Sequence, residues 1–99
     1  MCHNGGMEEA ERLTPAEQFK KTREQALREI RTHGPSEYAE EPAKHLDTAI
    51  AALENAIDQQ ASVIESRKLL HKMGVTRQTM DELTRLWYLI RQRGRGTSH

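Results

Sequence analysis

The side chains of this sequence best suited to metal binding or nucleophilic catalysis are Cys2, His3, His33, His45, His71 and His99. Zinc sites commonly use two histidines a few residues apart on one helix. No pair of histidines here is three or four residues apart, and a site at Cys2 and His3 would need ligands from far along the chain. The sequence therefore predicts no metal site and no cofactor.

Carboxylates cluster at Glu37, Glu40 and Glu41. Such groups can serve in acid–base catalysis or bind a metal, but more commonly they complement the positive N-terminal end of a helix, and we interpret the cluster in this way. Glycine-rich phosphate loops and the Gly-x-Ser-x-Gly and His-Glu-x-x-His motifs do not occur in the sequence. We therefore expect no catalytic residues and no enzymatic activity.

Charge is balanced over the whole chain but not along it. Residues 34–62 contain one lysine against six acidic residues, a net charge of −5, and residues 63–99 contain eight basic against three acidic residues, a net charge of +5. This pattern favours an anionic partner at the basic end or antiparallel pairing of two copies. The alternative interpretation is that the uneven charge lies on a solvated surface that binds no partner.

The length of 99 residues accommodates one domain. We expect a disordered tail over 1–13, a single helical domain over 14–93 and a basic tail over 94–99. The lone cysteine favours a reducing compartment, no signal pattern is present, and no apolar run approaches the roughly 20 residues that span a bilayer. We therefore expect a cytoplasmic protein with no membrane contact.

Three helices are predicted from caps and apolar spacing. Thr14 and Glu17 form a capping box around Pro15, and Gly34 with Pro35 ends the first helix, predicted over 15–33. Ser36 is a candidate cap for a second helix, but Pro42 interrupts its first turns, so either a short turn runs through 37–41 or the helix begins at Pro42.

From Pro42 to Met73 the apolar residues recur in steps of three and four, which predicts one long central helix. Gly74 ends it. Thr76 or Thr79 caps a last helix ending near residue 93, with Val75 and Met80 spaced as a hydrophobic staple if Thr76 is the cap. The predicted fold is all-α, a three-helix assembly with a long central helix.

The central helix carries a heptad-like stripe that predicts a homodimer interface. The stripe consists of Leu46, Ile50, Leu53, Ile57 and Ile64. Gln60 is polar in this seam, as register-setting residues of coiled coils are. The alternative is that the other helices of the same copy cover part of the stripe.

The corner between the last two helices resembles a helix-turn-helix motif over residues 65–83. The first helix of the corner ends in the apolar residues Leu69, Leu70 and Met73, and Gly74 makes the turn. The second helix packs against the first through Val75, Met80 and Leu83. This resemblance implies a DNA-binding corner in which Arg77 and Gln78 contact base edges and Arg85 contacts phosphate.

Large side chains follow one another at Trp87, Tyr88, Leu89 and Ile90. Successive helical residues point about 100° apart, so four in a row cannot all face one core. Aromatic residues beside arginine are typical of binding hot spots. The predicted partner-binding residues are therefore Tyr88, Leu89, Arg91, Arg93 and Arg95.

These observations predict a small non-enzymatic regulator, inhibitor or adaptor that binds a partner protein, with no small-molecule substrate. A chain of this size would suit a phage or another mobile element. The alternative function is a small dimeric helix-turn-helix regulator that binds DNA.

Overall fold

The structure, a computed structural model, describes the backbone of residues 13–97 and the side chains of residues 13–93. This part of the chain forms five α-helices and no strand, which confirms the all-α prediction. The helices are α1 (Pro15–His33), α2 (Ser36–Ala39), α3 (Pro42–Asp58), α4 (Ile64–Met73) and α5 (Arg77–Thr97). The predicted N-terminal tail lies outside the described residues, apart from Leu13.

Helix α1 begins and ends where its caps predict. The Thr14 hydroxyl accepts a hydrogen bond from the Glu17 amide at 3.1 Å, and the Glu17 carboxylate accepts one from the Thr14 amide at 3.0 Å. At the other end, the Gly34 amide donates to the Ile30 carbonyl at 2.8 Å. These contacts satisfy backbone groups that the helix leaves free at its ends.

The prediction of one unbroken central helix is wrong. The chain turns at Gln59 and Gln60, and Gln60 adopts a left-handed φ of 56°. The Gln60 amide donates to the Ile57 carbonyl at 3.0 Å, and the Ala61 amide donates to the Ala56 carbonyl at 2.7 Å. This pair of bonds is the Schellman arrangement that ends helices, here built around glutamine rather than glycine. Helix α4 therefore folds back against α3 instead of extending it.

The core forms where α1, α3, α4 and α5 meet. Helices α1 and α5 share the largest contact. They are antiparallel, because Glu29 late in α1 bonds Thr79 at the start of α5, whereas Phe19 near the start of α1 packs on Trp87 in the middle of α5, with ring centroids 5.7 Å apart. An ion pair of 2.6 Å from Arg91 to Asp58 joins α5 to the end of α3. Helix α5 also continues past the predicted end at 93, since Gly94 and Gly96 weaken a helix but do not terminate it.

Four residues of the predicted dimer stripe lie in the core of a single copy. Leu46 and Leu53 are fully buried, and Ile50 and Ile57 retain 6% and 7% of their exposure. The chain's own helices cover these side chains, so they are not a free surface for a second copy. Ile64 is the exception, since 58% of it is exposed.

Two glycines bring the C-terminal ends of α1 and α4 into backbone contact. Gly74 has a φ of 103° and ends α4 through a hydrogen bond from the Val75 amide to the Leu70 carbonyl. A Cβ atom on Gly74 would lie 2.7 Å from both Cα and N of Gly34. A Cβ atom on Gly34 would lie 2.2 Å from the Met73 carbonyl oxygen. Neither position has room for a side chain.

Candidate protein-binding groove

An open groove of about 800 Å³ lies at the corner between α4 and α5. We call it the basic groove. Its lining residues are His33, Ile64, Arg67, Lys68, His71, Gly74, Val75, Thr76, Arg77 and Met80. They come from the end of α1, one face of α4 and the first turn of α5, so three separate elements build one surface.

One face of α4 forms a wall of the groove. Ile64, Arg67, Lys68 and His71 follow the i, i+3, i+4, i+7 spacing of a single helical face. The opposite face is anchored in the core, where Leu70 and its neighbour Met73 are fully buried. Helix α4 therefore packs against the core through its other apolar face, which leaves Ile64 exposed on the groove side.

The apolar floor of the groove comes from Val75 and Met80, on either side of the Thr76 cap. Both side chains belong to the core cluster, at 2% and 5% exposure. The Thr79 amide donates to the Thr76 hydroxyl at 3.3 Å, which confirms Thr76 as the N-cap. Val75 and Met80 therefore occupy the two positions of a hydrophobic staple, which fixes the angle at which the chain enters α5.

Glu29 of α1 completes this cap from 47 residues away. Its carboxylate accepts hydrogen bonds from the Thr76 amide at 3.0 Å, from the Thr79 hydroxyl at 2.6 Å and from Gln25 at 3.0 Å. Burial raises the pKa of Glu29, but the bonds from Thr79, Thr76 and Gln25 outweigh it and leave the pKa below its ordinary value. The ionised carboxylate thus takes the place that a glutamate three residues after the cap would hold in a capping box. The first turn of α5, and with it one side of the groove, is held by α1.

The groove is positively charged and has no acidic lining residue. Arg67 is neutralised by an ion pair with Asp81. The side chains of Lys68 and Arg77 are exposed and make no hydrogen bond or ion pair with any described residue. His33 and His71 also line the groove. In a chain of zero net charge, an apolar floor between unpaired cations marks a surface suited to an anionic, partly apolar partner.

The residues predicted to contact DNA lie on the outer surface of the same corner. Arg77 and Gln78 are exposed at the start of α5. Arg85 is held by Glu82 through a 2.6 Å ion pair, and the hydrogen bond and charge of Glu82 raise the pKa of Arg85. Two carboxylates, Asp81 and Glu82, share the helical turn that would face phosphate. Gly74 separates α4 from α5 as predicted, and at this corner Asp81 and Glu82 neutralise Arg67 and Arg85.

The predicted partner-binding residues lie on the later half of α5, outside the groove. Tyr88 is 45% exposed and Leu89 is partly buried, as four consecutive large side chains require. Arg91 is engaged by Asp58, Arg93 is exposed, and the side chain of Arg95 lies outside the described residues. None of the four whose side chains the structure describes lines the groove. Beside them, Nε1 of Trp87 is buried with no acceptor among the described residues.

The remaining titratable residues do not converge on a site. Among residues 13–97, no group of three histidine, cysteine or acidic side chains is placed to hold a metal ion. His45 packs edge-on against Tyr38 at 5.0 Å. Glu37 and Glu40 are exposed around α2, and Glu41 lies 3.9 Å from Lys44.

None of the described helices is both long and apolar enough to cross a membrane.

Comparisons with protein-family models, curated proteins and solved structures returned no match to this chain.

The groove itself was missed by reasoning from the sequence. A signal for it does exist: Ile64 is spaced with Arg67, Lys68 and His71 on one face of α4, so an apolar residue stands among cations. The prediction of a helix that continues through Gln60 instead places Ile64 in the dimer stripe. The break at Gln60 rotates α4 relative to α3 and turns Ile64 away from the stripe.

Proposed function

We propose that this protein is a non-enzymatic cytoplasmic regulator, inhibitor or adaptor that binds a partner protein through the basic groove. The observation that carries the proposal is the exposed Ile64, which stands beside a buried apolar floor and two unpaired cations. Apolar surface surrounded by polar groups is typical of protein–protein interfaces.

The open form of the groove favours a protein over a small molecule. Small-molecule sites usually enclose most of their ligand's surface. Here one wall is the outer face of α4, and Ile64 at its first position remains 58% exposed. A small ligand would leave that side chain in water, whereas a partner's surface would cover it.

The proposal predicts that peptides selected against this protein depend on Ile64. A display library of random 20-residue peptides, unbiased in charge, supplies the binders, and their affinities are then measured for variants. We expect Ile64→Asp to weaken binding at least about tenfold, which corresponds to about 1.4 kcal/mol. Aspartate suits the first turn of a helix, so the variant is expected to fold.

The matched control is Ala51→Asp, which introduces the same charge on an exposed position of α3. It should change affinity less than twofold. Equal affinities for Ile64→Asp and the unchanged protein would overturn the groove as the binding surface.

Duplex DNA is the second candidate, because α4, the turn at Gly74 and α5 follow the order of a helix-turn-helix motif and Arg77 and Gln78 are exposed. Fluorescence anisotropy of labelled duplex DNA at about 50 mM and about 200 mM salt separates the two functions, since phosphate contacts weaken steeply over this range. We expect no binding at either salt, because Asp81 and Glu82 neutralise Arg67 and Arg85 and leave this corner few free cations for phosphate contacts. Tight binding that collapses at the higher salt and is lost in Arg77→Ala, but not in Arg93→Ala, would replace our proposal with a DNA-binding function.

The homodimer stays a prediction. Its proposed stripe is used within one copy, so a dimer would have to bury other surfaces, of which Ile64 and Tyr88 are the most exposed large apolar side chains described. The proposed function does not require it.

A further inference from the structure

We infer that the partner segment bound in the basic groove is an amphipathic α-helix with acidic side chains along the edges of its apolar face. This inference rests on the proposed function and specifies the chemistry of the partner.

The architecture of the groove selects a helix as the bound form. An extended segment gains its affinity by pairing with the edge of a sheet, and residues 13–97 contain no strand. Proline-rich segments bind between aromatic walls, and the groove is lined by no phenylalanine, tyrosine or tryptophan. What remains is the helix-in-groove mode, in which aliphatic side chains from successive turns enter an apolar cleft between helices. Ile64 provides the exposed apolar side chain of that cleft, and Val75 and Met80 lie beneath it, where the core already buries most of their surface.

The length of the wall sets the length of the partner. Helix α4 has 10 residues and so extends about 15 Å at 1.5 Å per residue. Its groove-lining residues run only from Ile64 to His71, so a partner helix lying along them makes contact over about two turns. That span presents three or four apolar side chains at i, i+3 or i+4, and i+7.

The charge of the groove selects acidic flanks. Lys68 is on the α4 wall and Arg77 is on the first turn of α5, so the two unpaired cations lie on different elements around the apolar floor. Arg67 is already paired with Asp81 and is not free to meet another anion. Carboxylates beside the partner's apolar stripe would meet Lys68 and Arg77, whereas lysines there would add repulsion that no acidic lining residue relieves.

Four labelled peptides test the inference by fluorescence anisotropy. Three share one leucine pattern at i, i+4 and i+7, and their flanking positions carry glutamate, glutamine or lysine. The fourth is the glutamate peptide with a central proline, which breaks the helix. We expect the glutamate peptide to bind at least tenfold more tightly than the glutamine peptide. The lysine and proline peptides should not bind.

Reversing the two free cations should reverse the preference. In the double variant Lys68→Glu and Arg77→Glu, the lysine peptide should bind more tightly than the glutamate peptide. The control is Lys20→Glu with Arg28→Glu, which makes the same change in net charge at exposed positions of α1 outside the groove and should leave the preference unchanged.

Each failure has its own meaning. Equal binding of the glutamate and glutamine peptides would overturn the acidic flank while leaving the groove as a binding site. Equal binding of the proline peptide would overturn the helical form. If none of the four peptides binds, the inference fails, and the Ile64 dependence of the selected peptides decides separately whether the proposed function fails with it.

Discussion

Replacing Gly74 with alanine is expected to destabilise the protein by about 2–5 kcal/mol, the sum of a backbone penalty and an overpacking penalty. A left-handed backbone costs an ordinary residue about 1–2 kcal/mol, and overpacking costs a further 1–3 kcal/mol. Both penalties apply at Gly74, since its φ is 103° and its Cβ would meet the backbone of Gly34 at 2.7 Å. Urea unfolding followed by circular dichroism measures the change.

A second variant separates the two penalties. Asparagine tolerates the left-handed conformation better than alanine does, but it carries the same Cβ. We expect Gly74→Asn to remain destabilised by more than about 1 kcal/mol, and Gly34→Ala to be destabilised although its φ of −77° is ordinary. If Gly74→Asn is as stable as the unchanged protein, the close contact between Gly34 and Gly74 is not present in solution.

Replacing Glu29 with alanine is expected to cost about 2–4 kcal/mol, because hydrogen bonds to a charged group contribute about 1.5–3 kcal/mol and buried donors left without a partner add to the loss. Glu29 is 8% exposed and accepts bonds from Thr76, Thr79 and Gln25. Glu24, exposed on the same helix, is the control, and Glu24→Ala should change stability by less than about 0.5 kcal/mol. If Glu29→Ala and Glu24→Ala changed the free energy of unfolding equally, the result would contradict the role of Glu29 in capping α5.

The effect of Glu29 should also depend on pH in one direction. Its folded pKa lies below the ordinary value of 4.5, so its ionised form adds stability above that pH and loses it as the pH falls through the folded pKa. The stability gap between the unchanged protein and Glu29→Gln should therefore be full at pH 7 and should narrow below about pH 4.5. A gap that widens on acidification would show that the carboxylate is not held ionised by its donors.

Much of the fold could be predicted because capping residues and glycines near in sequence mark where the helices begin and end. Thr14, Pro15 and Glu17 specify the start of α1 within four residues of sequence, and the structure confirms both backbone bonds of that box. Pro42 begins α3 as predicted, and Gly74 and Thr76 end α4 and cap α5. Each of these signals needs no knowledge of distant residues.

The break at Gln60 could not be predicted in that way. The residues Ile57, Ala61 and Ile64 continue the steps of three and four that mark a helical face, and glutamine is not a residue associated with left-handed turns. Instead, the hydrogen bond from the Ala61 amide to the Ala56 carbonyl completes a Schellman motif, which ends α3. The prediction failed because Ala61 and Ile64 continue the apolar spacing of α3 across the turn, although both residues are exposed and the core face of α4 is formed by Leu70 and Met73.

The candidate groove depends on contacts between residues far apart in sequence. His33 joins α4 only because Gly34 and Gly74 allow two helix ends to touch, and Glu29 caps α5 across 47 residues. No pattern of residues near in sequence predicts either the contact of Gly34 with Gly74 or the hydrogen bonds of Glu29 to the start of α5. The sequence did identify Arg77 and the basic character of its C-terminal part, but it placed the binding surface at Tyr88 and the arginines that follow.

The most direct test of the central claim is the map of amide chemical shifts in a ¹⁵N-labelled sample as the glutamate peptide is added. The account predicts that the largest changes fall on residues 64–71 of α4 and on residues 74–80, with His33 joining them, and that amides 85–93 move little. Changes centred on Tyr88 and Arg93, with residues 64–80 unmoved, would place the binding surface on the end of α5 and contradict the groove.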